Sequence, residues 1–123
     1  MATVDNSVLI LDEDDYSVIQ YKWETLTTTN DNGRALELLV YPEKTVHILG
    51  TFGSGGTVKI QGSNDGTNWI DLTDTRGNTI SKTATYLGTI AENPRYIRPF
   101  ISAGDGTTDI DVILIARRNI RGR

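Results

Sequence analysis

The sequence predicts an all-β fold, a two-layer antiparallel β-sandwich of jelly-roll type with an extended N-terminal arm. Three observations carry that expectation. The 123-residue chain holds 17 threonines and 12 glycines but only 3 prolines. Threonine and the other β-branched residues are stiff at χ1 and pack well on a pleated sheet, whereas glycine supplies tight turns. Apolar residues recur at every second position in short runs, the period of a strand rather than of a helix. The runs are separated by Asn-Asp-Asn-Gly, Gly-Ser-Gly-Gly, Asn-Asp-Gly and Gly-Asp-Gly, turn chemistry that accepts positive φ.

The elements follow in order. Residues 1–20 read as an arm, with apolar patches Val8-Leu9-Ile10-Leu11 and Val18-Ile19 on either side of the acidic run Asp12-Glu13-Asp14-Asp15. Residues 21–118 read as the sandwich, and residues 119–123 as a basic tail. In YKWETLTTT, residues 21–29, alternation puts Tyr21, Trp23, Thr25 and Thr27 on one side and Lys22, Glu24, Leu26 and Thr28 on the other. ALELLV, residues 35–40, fits either a strand or one helical turn, and Pro42 stops it. TVHILGTF (45–52) and TVKIQG (57–62) present Val46, Ile48, Val58 and Ile60 to the core, and the intervening Gly-Ser-Gly-Gly predicts a hairpin between them.

A second hairpin is predicted at Asp65-Gly66, between TVKIQG and WIDLT. Residues 79–90 alternate weakly and leave their register open. RYIRPFIS (95–102) is a strand, and Pro99, which cannot donate to a ladder, predicts a sheet edge or a bulge there. TDIDVILIA (108–116) closes the fold, with Ile110, Val112 and Leu114 inward and Asp109 and Asp111 outward. Short strands at this spacing argue for two layers, and no longer repeat is visible.

Length and composition bound the function. A 13.6 kDa chain fits one domain and leaves no room for two lobes around a cleft. With 37% hydrophobic residues the core is thin, so association with identical copies or with another protein is expected to add burial. No cysteine is present, which excludes disulfides, thiolate metal sites and cysteine nucleophiles. No segment reaches the roughly 18 apolar residues of a membrane span, and the N-terminus lacks an export signal. Synthesis in the cytoplasm and no membrane partner are therefore expected.

The net charge of −4 gives no support to nucleic-acid binding. Four of the eight arginines, Arg117, Arg118, Arg121 and Arg123, crowd the last seven residues. They suit contact with an acidic protein surface as readily as with phosphate.

Chemistry is sparse. The single histidine, His47, sits in a strand between Val46 and Ile48 and reads as a packed or surface side chain rather than a base. Zinc patterns fail for want of a second histidine or any cysteine. No serine lies in a G-x-S-x-G context. Asp109 and Asp111 share a strand face but read as solubilising charges rather than a glycosidase pair. The glycine-rich loop lacks the lysine and helix of a phosphate cradle. No catalytic, metal or cofactor-binding residue is expected.

The most informative stretches are GTFGSGGTVKIQGSNDGTNWIDLTDTRGN and ENPRYIRPFISAGDGTTDIDVILIARR. The strand, S-x-D-G turn and Trp69 look locally like a hairpin of discoidin-type carbohydrate-binding sandwiches. Over residues 21–118 the chain resembles a family of small tailed-bacteriophage structural proteins, which pair a GTFG-glycine-TV-x-IQGSNDG-x-W hairpin with a PRYIRP strand and a GDGTTD turn.

The resemblance implies a non-enzymatic capsid decoration, or cement, protein on the outer surface of the virion. Its partner would be the major capsid protein, and its own state a homo-oligomer, with a trimer expected. The candidate contacts are Val8, Leu9, Ile10, Leu11, Val18 and Ile19 of the arm, with Arg117, Arg118 and Arg121 of the tail. Two alternatives stand beside it. One is a glycan- or receptor-binding module of a tail or fibre, in which Trp69, Tyr86 or Tyr96 would stack on a sugar; the other is a head–tail adaptor.

Overall fold

The computed structural model describes residues 3–11 and 17–118. The acidic run at 12–15 and the tail arginines Arg121 and Arg123 lie outside the described residues. Those described form twelve strands and no helix: β1 (Thr3–Val4), β2 (Asn6–Ile10), β3 (Val18–Leu26), β4 (Asn32–Gly33), β5 (Leu36–Glu37), β6 (Glu43–Thr51), β7 (Thr57–Ser63), β8 (Ile70–Asp71), β9 (Ser81–Lys82), β10 (Tyr86–Thr89), β11 (Tyr96–Ala103) and β12 (Asp109–Arg117).

The strands make two sheets. One runs β10-β6-β12-β3-β2 and is antiparallel throughout. The other runs β1-β4-β11-β7-β8, with β5 also on β11, β9 also on β7, and β1 parallel to β4. With β4/β5 and β8/β9 each counted as one interrupted strand, the order is β10-β6-β12-β3 over β4/β5-β11-β7-β8/β9. That is the layout of a jelly roll, so the expected all-β sandwich is what the chain forms. Its core lies between the layers, where Trp23, Leu26, Ile48, Ile60, Ile97, Ile110 and Leu114 are fully buried.

Four local expectations change, and one register left open is settled. β6 and β7 do not pair. β6 lies between β10 and β12 in one sheet, and β7 lies beside β11 in the other, so Gly-Ser-Gly-Gly is a crossover between layers rather than a hairpin tip. Gly53 there has φ of 70°, and a methyl group on it would collide with the Asp105 carboxylate. The Asp65-Gly66 turn does close a hairpin, pairing Gln61 with Asp71 and Gly62 with Ile70.

In β3, alternation fails at Thr25, which has φ of 63°. The register against β12 slips there, Trp23 facing Val112 but Leu26 facing Ile110. The bulge turns Leu26 inward, where it is fully buried, instead of outward with Lys22 and Glu24.

Pro99 lies on a central strand, not an edge. β11 is flanked by β7 on one side, and on the other by β4 opposite Phe100 and β5 opposite Tyr96 and Ile97. Ile101 donates its N–H to Asp31 O at 2.7 Å on that second side. Pro99, two residues earlier, points its donor-free nitrogen the same way, into the gap between β4 and β5. The register irregularity lies further on, between Ile101 and Ala103.

The weak pattern of residues 79–90 has a similar cause: Ser81–Lys82 joins one sheet and Tyr86–Thr89 the other, so no single phase fits both. The expected arm is laid onto the body. Thr3–Val4 pairs with β4 and Asn6–Ile10 with β3, because ladder hydrogen bonds satisfy backbone groups that a projecting segment would leave to water.

Candidate functional site

Leu11, Ser17, Val18, Arg117 and Arg118 meet at one end of the β12 sheet. Leu11 N–H donates to Val18 O at 2.9 Å, and Arg118 N–H to Ser17 O at 3.0 Å. Arg117 stands in register with Val18 on one side and Glu43 on the other. The structure thus gathers Val8, Leu9, Ile10, Leu11, Val18, Arg117 and Arg118, which are dispersed in sequence. Ile19 is withdrawn, at 6% exposure. Val8, Leu9 and Leu11 are about half exposed, at 55%, 53% and 49%, and β2 is the last strand of its sheet.

The outer face of the same sheet continues this apolar surface. One row across it is Leu9, Gln20, Ile115 and Thr45; the next is Ser7, Lys22, Ile113, His47 and Leu87. Ile113 and Ile115 are half-buried and Leu87 is exposed. Attention to the inward phase of DIDVILIA passed over these two isoleucines; their signal was an apolar residue at each outward position after Asp111. His47 stands on the outer face between Ile113 and Leu87, the surface position expected of it.

The motif aspartates close turns. Asp65 Oδ1 accepts the N–H groups of Thr67 and Asn68, both at 2.8 Å, and its Oδ2 accepts Asn68 Nδ2 at 2.7 Å. These bonds, led by the Asn68 N–H, hold its carboxyl well below the usual carboxylate range. Asp105 ties two crossovers together. Its Oδ1 accepts the Thr107 hydroxyl at 2.7 Å and the Thr107 N–H at 2.9 Å, while Oδ2 accepts Ser54 N–H at 2.8 Å. Its pKa falls to about 2, chiefly through the Thr107 hydroxyl.

The three aromatic residues considered for sugar stacking divide between sheets. Tyr86, on β10, donates its hydroxyl to Asp74 Oδ2 at 2.9 Å beside a shallow pocket of about 190 Å³. Burial, followed by that bond to Asp74, pushes it up to about 12. Trp69 and Tyr96 lie on the β11 sheet. Each ring carries a cation of the chain: Lys82 Nζ at 4.4 Å from Tyr86, Arg95 at 4.9 Å from Tyr96, and Arg98 at 4.1 Å from Trp69. A face already covered by a cation is less open to a neutral sugar.

Arg98 and its partners were not singled out from sequence. Gln61 Oε1 accepts from Arg98 Nε at 3.2 Å and Nη2 at 3.1 Å, and Gln61 Nε2 donates to Asp71 Oδ1 at 3.2 Å. Asp71 in turn pairs with Lys59 at 3.1 Å. Alternation places these side chains on one face; only the register of β8, β7 and β11 links them. Lys44, in β6, was also missed. It is 1% exposed, donates to Tyr41 O at 2.9 Å and to Asn93 Oδ1, and has its pKa lowered by burial.

Among the described residues, no three His, Cys, Asp or Glu side chains gather as metal ligands would. Asp111 Oδ1 accepts Thr25 N–H at 3.1 Å and so braces the bulge.

No protein-family model matches the chain, and no curated protein sequence matches it. Two solved structures are similar to it in fold. The K1 cleaved adhesin domain of Lys-gingipain from Porphyromonas gingivalis W83 is 11% identical, with a TM-score of 0.43 over 93% of this chain and 90% of that one. FeII HppE is 9% identical, with a TM-score of 0.43 over 90% of this chain and 56% of that one. The chain thus spans just over half the length of FeII HppE.

Proposed function

We propose that this chain is a non-enzymatic capsid decoration protein that binds the outside of a tailed-phage head and ties neighbouring major capsid subunits together. The observation that carries the reading is an apolar edge strand, β2, with no partner on its outer side among the described residues. Val8, Leu9 and Leu11 are exposed at the last strand of the β12 sheet, with Arg117 close by. Natural sheets blunt such edges with charge, proline or a cover. Here the strand carries none of its own charges, since its sequence is NSVLI. An uncovered edge of this kind is suited to accepting a strand from another polypeptide, with main-chain bonds supplying affinity and alternate side chains supplying register. The resemblance of residues 21–118 to small tailed-phage structural proteins supplies the identity of that polypeptide.

The test mixes the purified protein with undecorated, expanded heads and images them. Regular added density at saturation is expected. Leu9→Lys should abolish it while leaving folding intact, because Leu9 is 53% exposed. Bare heads with the wild-type protein, or full decoration by Leu9→Lys, overturn the reading. Deleting residues 1–20 is the weaker test, since it also removes β1 and β2 from the sheets.

A further inference from the structure

The outer face of the opposite sheet carries a charge network that the docking edge does not use. It runs Lys59–Asp71–Gln61–Arg98 across β8, β7 and β11, flanked by Trp69 and Phe100, whose ring centroids lie 4.1 and 5.5 Å from the Arg98 guanidinium. Its geometry is directional. Asp71 is committed to Lys59 and to the Gln61 amide nitrogen, and this fixes the amide so that its oxygen faces Arg98.

Gln61 Oε1 takes two of the five guanidinium N–H donors. Among the described residues Arg98 has no carboxylate within ion-pair distance. Lys59 is paired with Asp71, and Asp31 acts on Arg98 from beyond ion-pair distance, so what the strip offers is unused guanidinium donors rather than net charge. Beside the strip Asn32, in register with Phe100, has a buried side-chain oxygen that no donor among the described residues reaches.

We propose that this strip is a binding site for a carboxylate-bearing saccharide, with Arg98 receiving the carboxylate and Gln61 holding the guanidinium in position. The guanidinium N–H donors that Gln61 leaves unused select an acid, because their planar fork suits a carboxylate. The place in the sheet selects a saccharide over an acidic peptide. β7 and β11 are central strands with neighbours on both sides, so a peptide finds no free edge for main-chain pairing, and recognition rests on side chains alone. A sugar acid offers the matching set: a carboxylate for Arg98 and C–H surface for the flanking rings. Arg98 covering Trp69 is consistent with recognition by charge rather than by neutral stacking.

The experiment titrates the full chain with hexagalacturonate, with its methyl ester and with hexaglutamate, reading tryptophan fluorescence and the Arg98 Nε–H resonance by NMR. Trp23 is fully buried, so Trp69 is the responsive fluorophore. Expected are saturable binding of hexagalacturonate that weakens with salt, and at least about a tenfold loss on methyl esterification or on Arg98→Gln. Arg98→Lys, which keeps the charge but not the planar fork, should lose several-fold. Arg76→Gln, exposed in a distant turn, should bind as wild type. Circular dichroism establishes that each variant is folded. Absence of saturable binding at millimolar ligand, equal binding of the ester, equal binding of hexaglutamate, or full binding by a folded Arg98→Gln each overturns the proposal. Decoration of heads is scored separately and involves the other sheet, so failure of either reading leaves the other standing.

Discussion

Leu26→Ala separates the bulged strand from a regular one. In a regular β3, Leu26 would share the outward phase with Lys22 and Glu24, and truncating it would change stability by about 0.5 kcal/mol or less. In the structure the slip at Thr25 buries it completely, in the cluster that also holds Trp23 and Ile110. Removing a buried leucine side chain forfeits its transfer free energy and leaves a cavity, about 2–5 kcal/mol. Against the roughly 5–15 kcal/mol that hold a domain together, this is a large fraction.

Equilibrium unfolding in guanidinium chloride at fixed protein concentration measures the difference. A companion variant tests the cause. Thr25 has φ of 63°, a conformation costing an L-residue about 1–2 kcal/mol. Glycine relieves that and returns about 0.5–1 kcal/mol through the entropy of the unfolded chain. The donor to Asp111 Oδ1 is the backbone N–H of residue 25, which glycine keeps, so that bond survives. Thr25→Gly should therefore be neutral or up to about 1 kcal/mol stabilising. A loss below about 1 kcal/mol in Leu26→Ala, or clear destabilisation by Thr25→Gly, refutes the bulge as the reason Leu26 is buried.

Two further outcomes follow from titrating groups. Asp105 titrates near 2 when folded against about 4 when unfolded. Its contribution is therefore present above about pH 4 and disappears as pH falls towards 2; unfolding midpoints between pH 5 and 2 should decline less steeply in Asp105→Asn, and an unchanged slope counts against the crossover tie. Lys44 is the opposite case: with its folded pKa lowered by burial, the folded state binds fewer protons than the unfolded one as pH rises towards 10, so wild-type stability should increase there. Lys44→Met should lack that increase and be as stable as wild type, or more so, at pH 7, because apolar replacement of a buried charge removes its desolvation cost; a loss of about 3 kcal/mol or more, measured by chemical unfolding, contradicts this.

Period-two alternation made the strands legible, and with them the inward set Val46, Ile48, Val58, Ile60, Ile110, Val112 and Leu114, all of them buried. It could not assign strands to layers. β6, Gly-Ser-Gly-Gly and β7 have the chemistry of a hairpin, and they also have the chemistry of a crossover; the choice depends on β11 and β12, which lie far along the chain and claim β7 and β6 respectively. Leu26 was misplaced because a single residue in the left-handed region inverts every later side chain, and Thr25 carries no local mark of it. The proposed docking edge was half visible: Val8 to Leu11 and Arg117 stood out by composition, but only the β2–β3–β12 register makes them neighbours. Arg98 was hidden for the same reason, its partner Gln61 lying 37 residues away in sequence and Trp69 lying in a separate turn.

The segments that carry the phage resemblance perform two separable tasks. Asp65 and Asp105 spend their acceptors on backbone N–H groups of turns, and Asp105 reaches across to Ser54, stapling the β6–β7 and β11–β12 crossovers together. These residues make the body and leave little capacity for a partner. Gln61, Trp69 and Arg98 belong to the same segments, yet no turn requires them; their contacts are with one another, on a face that looks away from the docking edge. A sandwich places its two outer faces on opposite sides of the core, so an apolar edge on one sheet and an arginine-centred strip on the other could engage different partners at once. Sites that share no contacts add independently. Leu9→Lys should therefore leave saccharide affinity unchanged, Arg98→Gln should leave head decoration unchanged, and the double variant should lose both; a coupled loss would mean that the two faces report one site.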